Sequence, residues 1–111
     1  MISAFTKSNV TQKCTVVFAG HSTAIGCNSS GTINVWHMIE GQKTPVYING
    51  NITSSYEGLG FRMETTHEFG ERTLVILNAT TDMAGKYICQ KFVKGGSVLT
   101  DVHVIIIGEM L

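Results

Sequence analysis

Short apolar or β-branched runs recur along the chain between clusters of turn-forming residues. The runs are Cys14 to Phe18, Ser22 to Cys27, Ile33 to Ile39, Pro45 to Ile48, Thr73 to Leu77, Lys86 to Val93 and Val98 to Ile107. Each has the length and alternation of a strand, and no segment keeps a helical period for more than a turn or so. The breakers include Asn28 to Gly31, Gly41-Gln42, Gly58 to Gly60, Phe69-Gly70 and Asp82 to Gly85. Asn49-Gly50 suits a tight hairpin turn that needs positive φ, and Gly95-Gly96 suits the tip of another. Seven or more short strands predict an all-β sandwich or barrel. With 111 residues, no internal repeat and no linker, the pattern describes one domain over residues 1–111.

Composition narrows the function. Apolar residues make up 43% and charged residues 14%, which excludes a disordered chain. Eight Lys/Arg balance eight Asp/Glu with no basic run, so there is no electrostatic footprint for a nucleic acid or an anionic membrane. The longest apolar run, Val102 to Ile107, is broken by His103 and is far too short to span a bilayer. His21, His37, His67 and His103 lack metal-ligand spacing, and the cysteines form no Cys-x-x-Cys pair. There is no nucleophile elbow, phosphate-binding loop or dinucleotide fingerprint. The expectation is therefore a non-enzyme with no cofactor and no metal.

The context expected is secreted. Three cysteines accompany four glycosylation sequons, at Asn9, Asn28, Asn51 and Asn78, where six asparagines would give about one by chance. Met1 is then a start that follows removal of a signal peptide, with any membrane anchor lying beyond the chain.

The decisive motif is Cys27, then Trp36, then Asp82-Met83-Ala84-Gly85-Lys86-Tyr87-Ile88-Cys89. It resembles the immunoglobulin superfamily over nearly the whole chain. The resemblance implies a Greek-key β-sandwich in which Cys27 on strand B and Cys89 on strand F bridge the sheets, with Trp36 of strand C packed on the sulfurs. It makes Tyr87 the tyrosine corner, with Gly85 permitting the turn. A bridge closing a loop of about sixty residues stabilises by roughly 4 kcal/mol on a chain-entropy argument. Arg62 and Asp82 resemble the family's strand D arginine and E-F aspartate, a structural ion pair. Cys14 is left over, as a buried free thiol or as a link to a neighbouring domain or second chain.

The stretch between Trp36 and Thr73 holds more than one strand. Pro45 to Ile48 resembles C′, Asn51 to Tyr56 resembles C″ and Phe61 to Thr66 resembles D, which points to the variable (V) set, with the intermediate set as the alternative. Trp36 follows Cys27 by nine residues, so the B-C loop is short, and strand G lacks the Phe-Gly-x-Gly bulge of antigen receptors. The resemblance therefore points to non-rearranging receptors.

If Trp36 and Cys89 point inward, strand alternation turns Val35, His37, Ile39, Ile88, Gln90 and Phe92 outward. With Tyr47 they would form an apolar face of strands G, F, C and C′, the surface on which many members of the family dock a partner. Contiguous exposed apolar area marks an interface, and aromatic residues are its natural anchors. The bland alternative is strand propensity, or cover by a neighbouring domain. The function this implies is the extracellular, membrane-distal domain of a cell-surface receptor, in adhesion or self/non-self recognition. Its partner would be a protein on an apposed cell, including a copy of itself. The alternatives are an immune-type domain with a different protein ligand, and a spacer.

Overall fold

The computed structural model describes residues 11–27, 32–65 and 72–109. The strands are β1 (Thr11–Phe18), β2 (Thr23–Cys27), β3 (Ile33–Ile39), β4 (Gln42–Ile48), β5 (Asn51–Ile52), β6 (Phe61–Thr65), β7 (Arg72–Ile76), β8 (Gly85–Val93) and β9 (Gly96–Gly108). A single helical turn, α1 (Ser54–Glu57), joins β5 to β6, and a 3-10 turn at Thr81–Met83 precedes β8. One sheet has the order β1-β9-β8-β3-β4-β5 and the other β2-β7-β6. Neighbours are antiparallel except β1, which runs parallel to β9.

Turn chemistry sets the hairpins. Glu40-Gly41 joins β3 to β4 with φ of 49° and 81°, and Asn49-Gly50 joins β4 to β5 with φ of 53° and 83°. Positive φ at both central residues is what a two-residue hairpin turn requires to match strand twist.

The core lies between the sheets. Ile25, Cys27, Phe61, Leu74 and Ile76 from the small sheet meet Val35, Val46, Tyr87, Cys89 and Ile105 from the large one. Each such apolar side chain contributes roughly 1.5–3 kcal/mol by leaving water. Cys27 and Cys89 are bridged across the layers, with Cα atoms 5.7 Å apart. Tyr87 donates its hydroxyl to the Met83 carbonyl at 2.6 Å, pinning the 3-10 turn to β8. Gly85 has φ of 124°, and a Cβ there would come within 3.0 Å of His37 Nε2, so side chains are excluded on two counts. The fold is an immunoglobulin-like β-sandwich.

Two expectations are corrected. The segment Asn51 to Tyr56 is not a continuous strand: β5 stops at Ile52, and the amides of Tyr56 and Glu57 turn back to the Thr53 carbonyl at 3.0 and 2.9 Å. The turn leaves Ser54 and Ser55 in water and buries Tyr56 against Phe61, ring centroids 5.1 Å apart. Arg62 does not pair with Asp82. Its guanidinium lies 2.9 Å from Glu64, two residues along the same face of β6, while Asp82 sits exposed in the 3-10 turn. So exposed a pair contributes little to stability.

Candidate functional site

The disulfide fixes which way β8 faces, and β8 fixes β3. Cross-strand partners share a sheet face, and Val35 lies opposite Cys89 while His37 lies opposite Tyr87. Val35 and His37 are therefore inward and fully buried. Trp36, opposite Ile88, is outward and half-buried. This reverses the expected phase: Val35, not Trp36, sits beside the bridge. The reason is visible in β3, where Trp36 alternates in phase with the amide Asn34 and Val35 with the apolar Ile33. Turning Trp36 inward would carry Asn34 into the apolar layer, where an unpaired amide costs a lost hydrogen bond.

Tyr47 is also corrected from the outer face to the core cluster. Pairing passes from Val35↔Tyr47 directly to Trp36↔Pro45, so Val46 is an extra residue in β4. This bulge lets Val46 and Tyr47 both contribute to the core.

His37 is a core histidine with both ring nitrogens engaged. Nε2 lies 2.8 Å from the Ala84 carbonyl, which can only accept, so Nε2 carries the proton. Nδ1 of the neutral ring then accepts from the Tyr56 hydroxyl at 2.9 Å. The ring stacks on Tyr87, centroids 4.2 Å apart and 6° from parallel. Burial holds the His37 pKa below its ordinary value, partly offset by the bond to Ala84. Burial raises the Tyr56 hydroxyl above its ordinary range, and likewise Tyr87, which Tyr56 raises further.

The outer face of the large sheet carries a cross-strand row of Val102, Ile88, Trp36 and Pro45. Trp36 donates its indole N–H to Gln90 Oε1 at 2.9 Å, and Gln90 donates to Ser97 Oγ at 2.9 Å. The Lys43 ammonium stands 5.2 Å from the Trp36 ring centroid. Opposite Ile88 and tied diagonally to Gln90, the indole covers Ile88, which is 8% exposed although it lies outside the core cluster. Phe92, 42% exposed, extends the face toward the β8-β9 hairpin together with Leu99. Ile39 is exposed but lies at the opposite end of β3, in phase with His37, and does not join Phe92.

Of the residues expected on this face, the structure brings together Ile88, Gln90 and Phe92, and sends Val35, His37 and Tyr47 inward. Sequence reading missed Trp36 and Pro45, and expected one alternate row of strand G on this face without naming its residues, which prove to include Leu99 and Val102. The polar Asn34 in phase with Trp36 was the signal that would have found the first.

Asn51 is exposed on the edge strand β5, and Asn78 is exposed after β7 with φ of 50°. Asn9 and Asn28 lie outside the described residues. Cys14 is a free, exposed thiol on β1, so the buried alternative does not hold. Among the described residues no three His, Cys, Asp or Glu side chains gather as a metal set, and no helix is long and apolar enough to cross a membrane. The face thus presents the Trp36 indole and the exposed Phe92 ring beside paired hydrogen-bonding groups.

No family model matches the chain, and no curated protein matches it. Among solved structures, a marsupial T cell receptor chain superposes with a TM-score of 0.72 at 13% identity. The match covers 88% of this chain and 50% of that one, so this chain spans half the length of that receptor chain. At such identity the likeness establishes the immunoglobulin-like fold, and function must be argued from the surface itself.

Proposed function

We propose that this chain is a variable-set recognition domain that binds a protein through the outer face of its large sheet. The strip centred on Trp36 carries the reading. It is apolar, contiguous over four strands and held in one conformation by the Gln90 and Lys43 contacts. Pre-organised aromatic area of this kind lowers the ordering cost of association. The variable-set assignment is supported by β4 and β5, which extend the β9-β8-β3 sheet as the two additional strands of that type do.

The disulfide and the exposed sequon residues Asn51 and Asn78 favour an extracellular setting, on a cell surface or secreted. The partner is a protein on an apposed cell, and neutral net charge lets a second copy serve. The role is binding and not catalysis. Beads coated with the domain should cluster if it recognises itself, or stay dispersed while capturing cells that carry a different ligand. A correctly folded domain that neither clusters on beads nor captures cells would overturn the proposal.

A further inference from the structure

β1 ends the large sheet, and its far edge has no partner strand among the described residues. It pairs with β9 without interruption from Thr11↔Asp101 to Phe18↔Gly108. An eight-residue edge with no bulge and no proline lacks most devices that keep edges from adding strands; Lys13 is its one charge. Alternation puts Gln12, Cys14 and Val16 on its outer side, all exposed, Val16 at 59%.

We infer that two copies of this chain pair antiparallel along β1 about a two-fold axis at Cys14, and that the two Cys14 thiols close a disulfide across it. A free edge is self-complementary, since its unpaired N–H and C=O groups match those of an identical strand turned end for end. With Cys14 on the axis, Gln12 faces Val16 of the second copy and Lys13 faces Thr15, so no like charges meet. The neutral chain adds no long-range repulsion. Directly opposed residues in an antiparallel pair have Cα atoms about 4.5–5.5 Å apart, inside the roughly 4.4–6.8 Å span of a disulfide.

The edge engages far fewer than the roughly 20–30 residues a side of a stable interface, so the backbone pairing sets the register and the covalent bond makes it last. In closing, each thiol loses a proton and the sulfurs join. The two electrons pass to a small-molecule disulfide, which leaves as two thiols. The inference stands whether or not the outer face binds a ligand.

Incubation with oxidised glutathione, followed by non-reducing electrophoresis and light scattering, should give a dimer. Dithiothreitol should return it to monomer, and C14S should stay monomeric. Register is tested with C14S/Q12C and C14S/V16C. Mixed, they should cross-link to each other. Alone, C14S/Q12C should not, because its two thiols would stand four residues, or about 14 Å, apart. A mixture that stays monomeric, or variants that link to themselves as readily as to each other, would overturn the pairing.

Discussion

The imidazole of His37 lies flat on the phenol of Tyr87, ring centroids 4.2 Å apart, and the two residues are direct cross-strand partners on β3 and β8. This stack holds β3 in the phase that points Val35 at the disulfide and sends Trp36 to the outer face. It also places a titratable ring in the core, with Tyr56 and Tyr87 as its titratable neighbours among the described residues.

Acid should weaken the domain through that ring. Burial lowers the His37 pKa from 6.5, so the unfolded chain takes up the extra proton first and protonation pulls the equilibrium toward unfolding. Stability is fully present above pH 6.5 and declines as pH falls between 6.5 and the lowered folded value. Urea unfolding across pH 7.5 to 5 should show the decline, and H37Q should flatten it at the cost of lower stability at pH 7.5. An equal decline in both proteins would assign the effect elsewhere.

Tyr87→Phe removes the donor that satisfies the Met83 carbonyl while keeping the ring stacked on His37. The loss should be about 1–3 kcal/mol, read as a lower urea midpoint at unchanged slope. A neutral result would mean that the 3-10 turn is held by other bonds.

Trp36 and Val35 make the sharpest contrast. Trp36→Ala should cost well under the roughly 3–5 kcal/mol typical of a core aromatic, because the indole lies on the surface and mainly shields Ile88. Val35→Ala, far smaller in volume, should cost about 2 kcal/mol at a fully buried position beside the bridge. Denaturation of the two variants side by side checks the phase of β3. A Trp36→Ala loss of core size would restore the indole to the interior.

How much could be read in advance follows from what each residue's pattern constrains. The cysteines at Cys27 and Cys89 and the corner at Tyr87 combine residue type with spacing, and the structure places all three between the sheets. Asn49-Gly50 carries its own backbone demand and stands at a hairpin. The facing of β3 was harder, because both of its phases hold apolar residues. Choosing by the single tryptophan, and not by the alternation that pairs it with Asn34, inverted the strand. The bulge at Val46 leaves no local signature, since Pro45-Val46-Tyr47-Ile48 is apolar throughout and offers no alternation in which a slip of phase could be read. The α1 turn depends on Tyr56 finding Phe61, a tertiary contact that no window of sequence contains.

Reducing the Cys27–Cys89 bridge removes a 62-residue constraint on the unfolded chain. The double variant C27A/C89A should lose about 4 kcal/mol, and calorimetry should find it largely unfolded at 37 °C. A variant that melts within a few degrees of the parent would show that the core alone suffices.

The central claim is that the outer face of the large sheet docks a protein, and binding to a ligand-bearing cell surface, or to the domain itself on beads, tests it most directly. Phe92→Asp places a charge on that face at an exposed site, and Arg62→Glu changes charge on the opposite sheet. The account predicts that Phe92→Asp lowers affinity at least tenfold with stability unchanged, while Arg62→Glu binds as the parent does. Loss of binding in Arg62→Glu with retention in Phe92→Asp would contradict it.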